Sequence, residues 1–192
     1  MKYLFVLLCL FAGTQAHAQA IGSVGGSIVV EQESDGRDYR ASIPWALRGG
    51  YSFRLADVYL EYAQASRSDG SGEMQVATDR QEFLLWGKHV FLKRWKFRPF
   101  AAAGVGFGNE FVNTKIGSLS QAHIGETLPV AALVGGWQWT LQYFELNLET
   151  RLSAAEYYHP NPAFSVGLFA GFRLGKEKGP TRRPSIKRSD LY

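Results

Sequence analysis

Strict two-residue alternation of side-chain character runs through most of this chain. In residues 144–152, FELNLETRL, apolar or small side chains occupy the even positions, and Glu, Asn, Glu and Arg occupy the odd ones. Successive side chains of a β-strand point to opposite faces. The segment therefore predicts a strand with one apolar face and one charged face. What such a chain folds into depends on which of the two faces is enclosed.

The alternation recurs along the sequence. Four further segments alternate clearly, two alternate less cleanly, and a Gly-rich one is the weakest. A length of about ten residues or more suits strands tilted across a bilayer. Together the pattern predicts eight strands, at 21–31, 41–53, 57–66, 79–93, 97–107, 126–142, 144–152 and 164–174.

Long and short connections alternate between these segments, beginning with a long one. The short turns are predicted at 54–57, 93–96 and 142–143, and the long polar connections at 31–38, 66–79, 113–125 and 155–162. With an even number of strands, this alternation of long and short connections places both ends of the barrel on the side of the short turns.

The N-terminus has the features of a secretory signal. Lys2 is followed by the apolar run YLFVLLCLFA, and small residues stand two apart in AHA and AQA. The run is well short of the ~20 residues that a spanning helix needs. We therefore predict a cleaved signal peptide at 1–18, or at 1–20 if cleavage follows Ala20. Cys9, the only cysteine, lies within the run, so the mature chain is predicted to have no disulfide and no thiol chemistry.

The charged faces are predicted to be enclosed. The opposite faces are nearly free of charge, and their aromatic residues cluster near strand ends as interfacial girdles do. Acids and bases can pair across a narrow lumen, and closing the sheet removes strand edges that lipid could not satisfy. The predicted lumenal charges are Arg48, Glu61, Arg80, Glu82, Lys88, Arg98, Glu145, Glu149, Arg151 and Arg173. The predicted interfacial aromatics are Tyr51, Phe53, Phe91, Trp137, Trp139 and Phe172.

These features resemble the small eight-stranded outer-membrane β-barrels of the OmpA-transmembrane and OmpX type. The resemblance covers residues 21–175 and includes FSVGLFAGFRL, which looks like their final-strand signal, although Ala170 stands where an aromatic is usual. It implies an all-β fold, an eight-stranded antiparallel up-and-down transmembrane β-barrel with short periplasmic turns and longer external loops. Side chains fill an interior of this size, so the lumenal charges are expected to form a structural network.

Residue types and spacing predict neither a metal centre nor a cofactor. His89, His123 and His159 share no ligand spacing and belong to no compact Cys, Asp or Glu cluster. The stretch GVGFGNE at 104–110 superficially resembles a phosphate-binding loop, but it lies inside a strand pattern and precedes no predicted helix.

The expected function is non-enzymatic, in the outer membrane of a Gram-negative bacterium. The external loops 66–79 and 113–125 are expected to carry surface interaction or envelope integrity, with outer-membrane lipid and lipopolysaccharide as partners, no nucleic acid, and a monomeric state. The alternatives are a lipid A-modifying enzyme using Glu156, His159 and Ser165, a narrow channel, and a soluble periplasmic ligand-binding barrel of opposite polarity.

Residues 176–192 differ from the rest of the chain. They carry six Lys or Arg against Glu177 and Asp190, and they show no periodicity. This composition predicts a basic, disordered periplasmic tail. The tail is either merely solvated or associates electrostatically with an anionic envelope partner, such as the headgroups of the inner leaflet.

Overall fold

The computed structural model is a closed antiparallel sheet. It describes residues 19–32, 39–53, 55–69, 74–92, 95–116, 119–141, 143–158 and 162–174, so the predicted signal peptide and basic tail lie outside it. The strands follow one another around the barrel, and β1 also pairs with β9, which closes it. Their bounds are β1 (Gln19–Gln32), β2 (Tyr39–Ser42), β3 (Trp45–Ser52), β4 (Asp57–Asp69), β5 (Met74–Val90), β6 (Phe97–Ile116), β7 (Leu119–Leu141), β8 (Phe144–Ala154) and β9 (Ala163–Leu174).

β2 and β3 are two parts of one barrel strand. Both pair with β1 in a single register, in which Val29 faces Ser42 and Gly26 faces Trp45. Pro44 interrupts the ladder because it has no N–H to donate, while its carbonyl accepts a hydrogen bond from the Ser27 N–H at 3.0 Å. The barrel therefore has eight strands, which confirms the predicted fold class. It begins at Gln19, two residues before the predicted start.

The polarity of the wall is inverted relative to a water-soluble sheet. On β8 the inward side chains of Glu145, Asn147 and Glu149 are buried, whereas Leu148 and Leu152 point outward and are 52% and 45% exposed. Among the described residues, no helix is long and apolar enough to cross a membrane. The apolar surface of the chain is thus concentrated on the outside of the barrel.

Two rows of aromatic side chains mark the limits of this outer apolar surface. Near the short turns, Phe97 stacks on Trp139 at 5.8 Å between ring centroids. Toward the other end, Phe83 packs on Phe107 at 5.5 Å. Phe97 and Phe107 are ten residues apart on β6. At ~3.3 Å per residue and a tilt of ~40°, they are separated by about 25 Å along the barrel axis, the height of the apolar band in outer-membrane barrels.

The prediction of loops at 66–79 and 113–125 was wrong for residues 66–69, 74–79, 113–116 and 119–125, which are strand. Strands β4 and β5 pair out to Asp69 and Val76, and strands β6 and β7 pair out to Ile116 and Leu119. Alternation disappears there because both faces of the hairpins are largely polar. The backbone ladder needs no apolar face to form, so the hairpins continue where the sequence pattern stops.

Candidate functional site

A chain of ion pairs crosses the middle of the lumen. Arg48 donates from Nε to Glu61 at 2.6 Å, and from its terminal nitrogens to both oxygens of Glu149 at 2.9 and 2.6 Å. Arg151 donates to the second oxygen of Glu61 at 2.7 Å and to Glu82 at 2.8 Å. The Glu61 side chain is 0% exposed. This carboxylate therefore joins two guanidinium groups, and each of the five charged side chains in this ion-pair network has a direct partner.

Strand register explains why these residues meet. Arg48 and Glu61 stand directly opposite each other on β3 and β4. Glu149 and Arg151 are two residues apart on β8 and so project from the same inner face. They reach β3, β4 and β5 across the lumen, which is possible only because the barrel is narrow.

A second network lies at the end of the lumen near the short turns. Arg173 donates to Glu145 at 2.9 Å and to Asp57 at 2.8 Å. Lys88 donates to Asn147 at 3.0 Å, and Asn147 donates to Glu145 at 3.3 Å. The amide of Asn147 thus links Lys88 to the ion pairs of Arg173. The network contains two basic and two acidic side chains, so its charges balance.

Aromatic packing fills the space between the two networks. Trp86 is 0% exposed and stacks on Tyr59 with ring centroids 6.2 Å apart. The Arg151 guanidinium lies over the Trp86 ring at 5.3 Å. On the neighbouring strand, a Cβ atom at Gly104 would come within 2.6 Å of the indole. Glycine at this position is what allows an indole to fit in the lumen.

Two tyrosines close the external end of the lumen. After β8 the chain turns inward, and the hydroxyls of Tyr157 and Tyr158 both donate to one oxygen of Glu82, at 2.8 and 2.5 Å. The Arg80 guanidinium lies 4.6 Å from both ring centroids and donates to Glu110 at 2.9 Å. The prediction placed these tyrosines in an external loop. In the structure they are part of the lumenal packing.

Two cavities in the described lumen are the size of water molecules. One cavity of about 30 Å³ lies beneath Tyr158, and another of about 10 Å³ lies beside Lys88. A water molecule needs ~10–15 Å³ of such space, so the first holds about two and the second about one. The hydroxyl of Ser42 lines the first cavity and is buried without a hydrogen-bond partner in the described part of the chain. An ordered water is the group that fits there.

Nine of the ten predicted lumenal charges take part in these contacts. Arg98 does not, because it lies at the rim, where its Nε donates to the carbonyl of Trp95 at 3.0 Å. Of the predicted interfacial aromatics, Phe53 is half-buried beyond the end of β3. The others are exposed on the outer face: Tyr51, Phe91, Trp137, Trp139 and Phe172.

Sequence reasoning missed several lumenal residues. Asn147 lies between Glu145 and Glu149 on the same face, so the alternation itself could have identified it. Tyr157 and Tyr158 follow the end of β8, where no periodic signal exists.

Neither a metal centre nor a hydrolytic triad is assembled in the described residues. No group of three or more His, Cys, Asp or Glu side chains there could hold a metal. Ser165, considered for lipid hydrolysis, is buried in the lumen, whereas Glu156 is exposed. His159 lies outside the described residues.

Because of Tyr157 and Tyr158, which close the lumen, we expect the folded barrel to lose stability at high pH. Burial raises the pKa of Tyr157 and of Tyr158, and the Glu82 carboxylate raises each pKa further. The unfolded chain releases these protons near pH ~10 and the folded barrel retains them. Stability therefore holds below about pH 10 and falls as the pH rises above it.

Urea unfolding from about pH 8 to about pH 12 checks this pH dependence. We expect the variant with both Tyr157→Phe and Tyr158→Phe to lose less stability over this range than the parent. An equal decline in parent and variant would contradict the prediction.

Comparison with known proteins bears on the fold. No family model matches the chain, and no curated protein matches it. The structure is similar to Neisserial surface protein A, with 12% identity, a TM-score of 0.59, and coverage of 82% of this chain and 96% of that one. It is also similar to Ail, the attachment invasion locus protein of Yersinia pestis, with 13% identity, a TM-score of 0.52, and coverage of 82% and 97%. The closed sheet, its inverted polarity and these similarities together show that the chain has the fold of the small eight-stranded outer-membrane β-barrels.

Proposed function

We propose that this chain is a non-enzymatic outer-membrane barrel of a Gram-negative bacterium, acting from its external hairpins in surface interaction or envelope integrity. The observation that carries the proposal is the contrast between a filled lumen and two hairpins that extend past the outer aromatic row. The two cavities described in the lumen hold only one or two waters each, which supports a filled lumen over the narrow-channel alternative. Any recognition of a partner is therefore expected at the external surface of the barrel.

The hairpins form a polar platform outside the apolar band. From Phe107, β6 continues nine residues to Ile116, which is ~23 Å along the barrel axis at the same rise and tilt. On the outer face of β4, Leu60 and Tyr62 give way to Gln64 and Ser66 as the strand leaves this band. Such a surface is suited to contact lipopolysaccharide or a macromolecule in water.

One edge of the platform is open to strand pairing. Pairing of β7 with β8 begins at Ala131, so residues 119–130 pair only with β6 in the described part of the chain. An open edge presents unpaired N–H and C=O groups to which an extended segment of a partner can add. The names of the two structural neighbours, a surface protein and an attachment invasion locus protein, support a role of this kind.

Shortening the hairpins tests this proposal. Removing 113–122 leaves Val112 and His123 as a two-residue turn next to the pair of Phe111 and Ile124. Removing 67–78 leaves Ser66 and Asp79 as a two-residue turn next to the pair of Ala65 and Arg80. We expect the shortened barrels to remain in the outer membrane and to migrate differently in SDS gels with and without heating. We expect them to lose attachment to surfaces or resistance of the envelope to detergent. Unchanged attachment and unchanged detergent resistance after both deletions would contradict the proposal.

A further inference from the structure

The ion-pair network in the middle of the lumen contains more negative than positive groups. It consists of Arg48, Glu61, Glu82, Glu149 and Arg151, so three carboxylates are paired with two guanidinium groups. Each of these side chains is at most 12% exposed. A charge that is enclosed without full compensation is strongly unfavourable. One more positive charge beside these carboxylates would therefore stabilise the folded barrel.

The other lumenal contacts among the described residues do not supply that charge. Toward the external end, Arg80 pairs with Glu110 at 2.9 Å, which adds one charge of each sign. Toward the short turns, the second network is balanced. Tyr157 and Tyr158 donate hydrogen bonds to Glu82, but their hydroxyls are neutral. The ion pairs of the described lumen thus contain one negative charge in excess.

The larger of the two lumenal cavities adjoins this excess charge. It measures about 30 Å³, and its lining includes the carboxylates of Glu82 and Glu149 and the side chains of Ser42, Ser153 and Ser165. The three serines are 9%, 4% and 5% exposed, so their hydroxyl groups lie inside the barrel. A water molecule needs ~10–15 Å³ of such space, so the cavity accepts about two groups of that size.

Oxygen atoms around the cavity have capacity for a further ligand. The Oγ of Ser42 is buried and has no hydrogen-bond partner in the described part of the chain. Each carboxylate oxygen of Glu149 accepts one of the hydrogen bonds from Arg48, and such an oxygen can accept two. The Oγ of Ser153 accepts a hydrogen bond from Arg151 at 2.6 Å and has a second lone pair.

This combination of oxygen ligands and charge selects a monovalent metal cation. Carboxylate and hydroxyl oxygens are hard ligands, which suit hard cations. A single positive charge balances the network, whereas a divalent ion would reverse its sign. The described residues also include no group of three His, Cys, Asp or Glu side chains that could hold a metal. A water molecule alone could satisfy the Ser42 hydroxyl, but it would leave the charge unbalanced.

We propose that the lumenal cavity beneath Tyr158 binds one alkali-metal cation, with Glu149 and the hydroxyl oxygens of Ser42 and Ser153 as its ligands. The ion balances the central ion-pair network, and a water molecule fills the remaining space. This site goes beyond the proposed function, because it does not depend on what the external hairpins contact.

Urea unfolding of the full-length mature barrel in phosphatidylcholine vesicles tests the site. Sodium chloride is replaced stepwise by choline chloride at constant ionic strength and pH, because choline is too large for a cavity of about 30 Å³. Above the dissociation constant of the ion, we expect the folding equilibrium constant to rise about tenfold for each tenfold rise in sodium. The series is repeated with potassium.

Two substitutions locate the effect in this cavity. Glu149→Gln removes the excess negative charge, and we expect it to abolish the dependence on sodium. Ser42→Ala removes only the hydroxyl group that has no described partner. We expect this variant to fold and to need about tenfold more sodium for the same gain in stability. Ser42→Ala therefore keeps the test valid if Glu149→Gln does not fold.

Ser52→Ala is the matched control for the serine substitution. Ser52 is also a buried lumenal serine, but it accepts a hydrogen bond from Arg173 in the network whose charges balance. We expect this variant to keep the sodium dependence of the parent.

Three outcomes would overturn the site. The first is a parent whose stability is indifferent to both sodium and potassium, as it would be if a proton balanced the network. The second is a Ser42→Ala variant with the sodium dependence of the parent. The third is an equal loss of that dependence in Ser42→Ala and Ser52→Ala. None of these outcomes bears on the attachment and detergent resistance that test the proposed function.

Discussion

Glu61→Gln is expected to destabilise the folded barrel by about 3–5 kcal/mol. The Glu61 carboxylate is fully enclosed and accepts hydrogen bonds from both Arg48 and Arg151. An amide of the same shape keeps the packing but leaves two guanidinium groups facing each other with one negative charge fewer between them. Because the Glu61 side chain is not reached by solvent, water cannot compensate for that loss.

Glu110→Gln is the matched control for this substitution. Glu110 also pairs with an arginine, Arg80, but its side chain is 28% exposed at the external end of the lumen. Because water screens the pair, we expect a loss of less than about 1 kcal/mol. Urea unfolding of both variants in lipid vesicles, followed by tryptophan fluorescence, measures the difference. Equal losses would show that the central network does not stabilise the barrel.

Trp86→Ala is expected to cost about 3–5 kcal/mol because it empties the centre of the lumen. The Trp86 indole is fully buried, and its Nε1 has no hydrogen-bond partner among the described residues. The loss is therefore one of packing and of the contact with the Arg151 guanidinium. Trp137→Ala removes the same side chain from the outer face, where it is 53% exposed. We expect a smaller loss there, and losses of equal size would contradict the packed lumen.

The Trp86 variant also tests why Gly104 is a glycine. In the parent, Gly104→Ala would place a methyl group against the indole and is expected to destabilise by about 1–3 kcal/mol. In the Trp86→Ala background the same methyl group has space. The two substitutions are therefore expected to be strongly non-additive in the free energy of unfolding. Additive losses would mean that Gly104 is required for another reason.

The eight strands and their short turns could be predicted because a membrane strand has one uniformly apolar face. Residues 144–152 show that face without interruption, and the structure places them on a strand. The external ends could not be predicted in this way. Between 66 and 79 both sides of the hairpin meet water, so nothing in the side chains distinguishes a paired strand from a loop.

The sequence indicates which face of a strand carries charge, but it does not indicate which charges meet. Arg48 and Glu149 are 101 residues apart and meet because of the stagger of the strands around the barrel. Arg98 shares the inward face of its strand yet lies at the rim, because its position along the axis decides its neighbours. Tyr157 and Tyr158 reach Glu82 through a turn whose direction no alternation encodes.

The contact between β1 and β9 runs from Ala20 with Leu174 to Val30 with Phe164. It joins the two ends of the barrel sequence, and the entropic cost of closing a loop rises with its length. We therefore expect this seam to be the last pairing to form. Until it forms, a partly inserted wall presents two rows of unpaired amides to lipid, at a cost of several kcal/mol for each group. Whatever delivers the chain into the bilayer must shelter both rows until the first and last strands meet.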